Sequence, residues 1–163
     1  MKKPSVSIVM GSPSDFPTMN LAAGLLKDMG VSFEVRILSA HRAPDDTVSY
    51  AKNAAKRGVK VIIAGAGGAA HLGGVIASNT TLPVIGVPMK TSNLKGIDSL
   101  LSIVQMPSGV PVGTMAIGDA GAKNAAIFAA EILATRDSNL NKKLSGYKKR
   151  LRKDVIKKDR SLK

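Results

Sequence analysis

Val31-Ser32-Phe33-Glu34-Val35-Arg36-Ile37-Leu38-Ser39-Ala40-His41-Arg42-Ala43-Pro44 is the stretch whose reading decides the fold. Val31 to Leu38 alternates, with Phe33, Val35 and Ile37 on one face, which is the period of a strand. Pro44 fits a first helical position, where its missing N–H costs nothing. Asp45 and Asp46 suit the first turn of the helix that follows. His41 and Arg42 therefore lie between the carboxyl end of a strand and the start of a helix. Open α/β sheets bind their ligands at that level. The chain holds two histidines. The second, His71, falls in Ala64 to Leu72, another strand-to-helix junction.

Working outward, the same alternation recurs. Ser5 to Met10 reads as a short apolar strand. Met19, Ala22, Leu26 and Met29 follow at helical spacing, and Gly30 stops that helix. The helix from Pro44 continues to Arg57 and ends at Gly58. Val59 to Ala64 is a continuous apolar run, as expected for a strand covered on both faces. A short helix runs to about Ala77. Val84 to Val87 is strand four, Ser99 to Gln105 a short helix, Val112 to Ile117 strand five, and Ala122 to Thr135 an alanine-rich helix. Alternating strands and helices imply a parallel sheet with right-handed crossovers. Five such strands point to a flavodoxin-like three-layer α/β/α sandwich with strand order 2-1-3-4-5. Its crevice is expected between strands one and three.

Composition narrows the function classes. A chain of 163 residues fits one domain with a real core. The absence of cysteine excludes disulfides and thiolate metal sites. No apolar run reaches the length of a membrane span, so neither a membrane partner nor an exported protein is expected, and the default compartment is the cytoplasm. The net charge of +13 resembles a nucleic-acid signal until it is located. Residues 142–163 hold 11 Lys/Arg against 2 Asp/Glu, leaving only +4 for the rest of the chain. The excess is a terminal segment and not a reading head, so no nucleic-acid partner is expected. That tail has an apolar stripe, Leu140, Leu144, Tyr147, Leu151 and Val155. We expect a catalytic unit over residues 1–135 and a basic helical tail over 136–163, its stripe packed on a neighbouring subunit and its end fraying beyond Lys157.

Three stretches can carry chemistry. Gly11-Ser12-Pro13-Ser14-Asp15 supplies two hydroxyls and a carboxylate at a helix N-terminus, suited to an anion or a sugar. Ser14 or Asp15 can equally be helix caps, and the two roles are compatible. In the Ser39–Arg42 stretch, Arg42 can hold a phosphate through paired hydrogen bonds. His41 can move a proton near neutral pH, or be an ordinary packed histidine. The small residues before His71 allow close backbone approach to a ligand, or only tight packing. Gly65-Ala66-Gly67-Gly68 is neither a dinucleotide fingerprint nor a Walker loop. Two histidines without clustered carboxylates make a poor metal site. The residues point to acid/base chemistry on a small phosphorylated ligand.

Gly11-Ser12-x-Ser14-Asp15, Ser39-Ala40-His41-Arg42 and Ala64-Gly65-Ala66-Gly67-Gly68-Ala69-Ala70-His71-Leu72 together resemble the three signatures of the class I N5-carboxyaminoimidazole ribonucleotide mutases of purine biosynthesis. Gly86-Val87-Pro88, Asp98-Ser99-Leu100, Ser102 to Pro107 and Val110 to Thr114 fit as well, so the likeness covers about residues 5–135. It departs at Gly73-Gly74, where the family commonly has proline after His-Leu. The resemblance implies transfer of a carboxylate from nitrogen to ring carbon, by decarboxylation and recarboxylation, with no metal and no cofactor. It implies that His41 is the proton shuttle. It also implies that Ser12, Ser14, Asp15, Ser39, Ala40, Arg42, Gly67, Gly68, Ala69 and His71 bind a ribonucleotide, and that the chain is a homo-oligomer, an octamer. The alternatives are direct carboxylation of aminoimidazole ribonucleotide by carbon dioxide, and a non-catalytic ribonucleotide-binding module.

Overall fold

In the computed structural model, which describes residues 3–162, a five-stranded parallel sheet has the order β2-β1-β3-β4-β5. The strands are β1 (Val6–Met10), β2 (Phe33–Ile37), β3 (Val61–Ala66), β4 (Val84–Pro88) and β5 (Gly113–Thr114). The helices are α1 (Phe16–Met29), α2 (Pro44–Asn53), α3 (Leu72–Ala77), α4 (Ile97–Val104), α5 (Asp119–Ala134) and α6 (Ser138–Arg160). The flavodoxin-like sandwich and its strand order are as the pattern of apolar runs implies.

The period of two along the strands makes two cores. Val6, Ile8 and Met10 of β1, Val61 and Ile63 of β3, and Ile85 and Val87 of β4 face one side. There they meet α1, α5 and the first turns of α6. Val9, Ile62, Ala64 and Ala66 face the other side, with α2, α3 and Ile103 of α4. The central strands β1, β3 and β4 are buried at every position. Each fully buried Ile or Val is worth about 1.5–3 kcal/mol of removed apolar surface.

Several elements differ from the expectation, each for a physical reason. β3 starts two residues late and takes in Gly65 and Ala66. Gly65 leaves room there for Met19 of α1, whose Sδ would lie 2.6 Å from a Cβ and would have to shift. The pairing of β5, an edge strand beside β4, is confined to Gly113 and Thr114. β2 is the opposite edge. Phe33 packs on the core, but Ile37, at the other end of this edge strand, is 54% exposed. α2 gives way to a 3-10 turn at Ala55–Arg57, and Gly58 then ends it at φ +104°. α3 begins at Leu72, so Gly73-Gly74 does not delay it.

The 136–163 segment forms α6, capped by Asp137, whose carboxylate accepts from the N–H groups of Asn139 and Leu140 at 3.0 Å each. Its helix continues three residues past the expected limit at Lys157. Leu140 and Leu144 pack on this chain's own core, and Tyr147 borders it. Lys143 Nζ donates to the Met29 carbonyl at 2.9 Å, satisfying the C-terminus of α1. From there the stripe leaves the core: Leu151 and Val155 are 49% and 67% exposed.

The start of α5 packs closely on the loop that leads into it, and its alanine face on the sheet. Ala122, Ala125, Ala126, Ala129 and Ala130 are all buried, and a Cβ on Gly121 would lie 1.7 Å from the Ala116 carbonyl oxygen. Backbone cannot yield as a flexible side chain can. Gly121→Ala should therefore destabilise the protein by about 1–3 kcal/mol or more, read from urea unfolding. A loss below about 0.5 kcal/mol would contradict this packing.

Candidate active site

Register brings the site together. Met10, the last residue of β1, pairs with Ile37 of β2 on one side and Gly65 of β3 on the other. Three chains thus leave the sheet at one level, where the order reverses between β1 and β3. A cavity of about 400 Å³ opens there. It is lined by Ser12, Ser14 and Asp15 from the first loop, Ser39 to Arg42 from the second, and Gly67, Ala69 and His71 from the third. Ten of the eleven residues singled out in the sequence meet in this cavity. Gly68 does not line it; its N–H is bonded to buried Ser99 behind the loop. Gly11, Ala66 and Leu72 complete the lining, all inside the motifs already quoted.

The first loop differs from the capping picture. Neither Ser14 nor Asp15 caps through its side chain; Ser12 does. Ser12 Oγ accepts from the Ser14 N–H at 3.3 Å and the Ser14 hydroxyl at 2.8 Å, closing the 3-10 turn Pro13–Asp15 that precedes α1. Asp15 begins α1 with no side-chain cap bond, which leaves its carboxylate to the cavity. Burial pushes that carboxyl above its ordinary range, partly offset by hydrogen bonds from Ser12 and Ser14.

Arg42 spans the cavity wall. Its Nη2 donates to the Gly11 carbonyl at 3.0 Å, and its Nε to Ser39 Oγ at 3.3 Å. Ser39 Oγ also accepts from the Arg42 N–H. Neutral oxygens thus hold the guanidinium in place, and no carboxylate among the described residues forms an ion pair with it. A planar fork with free N–H groups and uncompensated charge suits a phosphate.

His41 and His71 come together. Nε2 of His41 lies 2.7 Å from Nδ1 of His71, with the rings edge to face at 81°. One proton must lie between the two nitrogens. Each ring keeps one further nitrogen, so a proton gained at one imidazole can be accommodated by the pair. In the sequence His71 stands only as a ligand-binding residue, and nothing there shows this contact, which spans 30 residues. Its one signal was the shared strand-to-helix position. Among the described residues no group of three or more His, Asp or Glu is arranged to hold a metal ion, and no helix is long and apolar enough to cross a membrane.

Residues 5–154 match the family described as AIR carboxylase. This chain belongs to that family. It is 56% identical over 159 residues to the N5-carboxyaminoimidazole ribonucleotide mutase of Thermotoga maritima, covering 98% of this chain and 92% of the relative. It is 54% identical over 151 residues to the Escherichia coli K12 protein of the same name, covering 93% and 89%. The crystal structure of Treponema denticola PurE superposes with a TM-score of 0.87 at 30% identity, over 98% of this chain and 99% of that one.

The raised Asp15 pKa carries a stability consequence. A carboxyl that is harder to ionise when folded makes the folded state bind protons more tightly than the unfolded chain. Ionised Asp15 therefore costs stability above the carboxylate range, and the cost disappears as pH falls through it. Asp15→Asn should raise unfolding stability at pH 7, with the gain vanishing near pH 3, while ligand affinity falls. A variant less stable than the native protein at pH 7, by urea unfolding without ligand, would contradict the burial assigned to this group.

Proposed function

We propose that this chain is an N5-carboxyaminoimidazole ribonucleotide mutase of purine biosynthesis. The observation that carries the proposal is the cavity itself. It sets a hydrogen-bonded histidine pair beside an unpaired guanidinium, on the loops that hold the family's three signatures. Membership of the AIR carboxylase family and the names of the relatives support the same reading.

The chemistry follows from the residues. Arg42 and the Ser12–Ser14 turn bind the phosphate, Asp15 accepts from ribose hydroxyls, and the ring lies against Ala40, Gly67 and Ala69. His41 gives a proton to the carbamate nitrogen as the N–C bond breaks, releasing carbon dioxide and aminoimidazole ribonucleotide. The ring carbon then attacks the carbon dioxide, and the proton leaving that carbon returns to His41. Atoms and charge balance, and the net change is an isomerisation. His71 holds the His41 ring and shares its proton between steps.

Recapture requires that carbon dioxide does not escape. In the single chain both histidines are exposed, so the pocket is open. We propose that a homo-oligomer, an octamer, closes it. The exposed apolar residues Leu94, Ile97, Leu101 and Val104, on α4 and the loop before it, and the exposed far end of α6 support association with neighbouring copies. Light scattering that finds a monomer at assay concentration would remove this part. A charged ribonucleotide does not cross a bilayer unaided, so the enzyme works in the compartment where its substrate is made, which we propose is the cytoplasm.

Purified protein should convert N5-carboxyaminoimidazole ribonucleotide without added bicarbonate. Turnover of aminoimidazole ribonucleotide that depends on bicarbonate, with none of the carbamate, would instead establish the direct carboxylase. Ribonucleotide binding with neither conversion would leave a binding module. His41→Asn should lower kcat by about 10³-fold or more with ligand binding retained; near-normal turnover would refute the shuttle. Arg42→Ala should raise KM by about 10–100-fold, and an unchanged KM would refute the phosphate role.

A further inference from the structure

Ser99, in the first half of α4, has no part in the steps above, yet it is fully buried and its hydroxyl joins two loops at the active end of the sheet. Its Oγ donates to the Met89 carbonyl at 2.7 Å, just past β4. With its proton committed there, the same oxygen accepts from the Gly68 N–H at 3.0 Å, just past β3. Gly68 sits at φ +65°, a conformation that glycine adopts freely.

The consequence lies in the peptide between Gly67 and Gly68. It is trans, as are all peptide bonds among the described residues. In a planar trans peptide the N–H and C=O point in opposite directions. With the N–H turned to buried Ser99, the Gly67 carbonyl points the opposite way, and Gly67 itself lines the cavity. None of the hydrogen bonds among the described residues ends on that carbonyl.

We infer that Ser99 is a positioning residue. It locks the Gly67–Gly68 peptide so that the Gly67 carbonyl faces the cavity as an acceptor for an N–H of the substrate's heterocycle. The nature of the heterocycle rests on the mutase reading; the orientation of the peptide does not. The same hydroxyl ties the loop after β3 to the loop after β4, so the acceptor keeps its place while substrate enters and product leaves.

The test compares two ligands on the full chain. Aminoimidazole ribonucleotide carries the amine, whereas ribose 5-phosphate has only the sugar and phosphate. In Ser99→Ala the peptide is free to turn. Affinity for aminoimidazole ribonucleotide should then fall about tenfold in an NMR titration, the scale of one hydrogen bond, and affinity for ribose 5-phosphate should stay within about twofold. An equal or larger loss for ribose 5-phosphate, or no loss for either, overturns the inference, since a general loosening of the fold would not distinguish the ligands. If Ser99→Ala does not fold, Ser99→Cys, of similar size but a poorer hydrogen-bonding group, replaces it with the same outcomes required. Turnover of the native protein is measured alongside. If the native protein converts the carbamate and the ligand comparison fails, only the positioning role falls. If it converts nothing, the mutase reading falls on its own.

Discussion

The register of β1 between its two neighbours is the constraint on which the rest depends. Because Met10 pairs with both Ile37 and Gly65, three loops leave the sheet side by side. Short bonds carry that alignment outward. The Leu38 N–H donates to the Met10 carbonyl at 2.9 Å, the Gly11 N–H to the Gly65 carbonyl at 3.3 Å, and Arg42 to the Gly11 carbonyl. The imidazoles of His41 and His71 can meet only because their strands flank the same central strand. A register slip of one residue would turn the side chains of β1 to the wrong face and separate the pair.

Stability and chemistry are divided between the two parts of this arrangement. The strands and α5 are apolar and closely packed, with few places where a methyl group could be added. The loops carry the groups that a fold alone would not choose. Asp15 is held partly buried with its pKa raised, and Arg42 keeps a charge that no carboxylate among the described residues pairs. Ionised Asp15 weakens the unliganded protein slightly, and both groups are placed to gain partners from the ligand proposed above. The remaining polar cluster serves structure. Tyr50 of α2 bonds to buried Ser7 of β1 and donates to Glu34 of β2 at 2.5 Å, while Arg57 stacks on its ring, and burial beside Glu34 pushes the phenol to about 12. This cluster anchors α2, and with it the end of the loop that carries His41.

Much of this was legible in the chain. Strand and helix alternate clearly, and the junction rule puts His41 and Arg42 at the level where open α/β sheets bind ligands. What sequence could not supply were the relations across strands. The His41–His71 contact depends on which strands are neighbours. Ser99 reads as an ordinary helix serine, since nothing local reveals that Met89 and Gly68 will bracket it. Phe33, Val35 and Ile37 share one face of the strand, but alternation does not tell an edge strand from a central one, and only Phe33 packs on the core. The α6 stripe read as one surface, yet Leu140 and Leu144 belong to this chain's own core and Leu151 and Val155 do not. The period of a helix shows that a face will be covered, and not by what.

The central claim is that the imidazole of His41 stands beside the heterocycle while the phosphate rests on Arg42. The most direct measurement is a crystal structure of the inactive His41→Asn protein with N5-carboxyaminoimidazole ribonucleotide bound. The account predicts the carbamate nitrogen within about 3.5 Å of the residue 41 side chain, close enough for proton transfer through a hydrogen bond. It also predicts the phosphate on Arg42 and the Ser12–Ser14 turn. A ligand seated in that cavity with its ring turned away from position 41, or bound elsewhere on the protein, would contradict it.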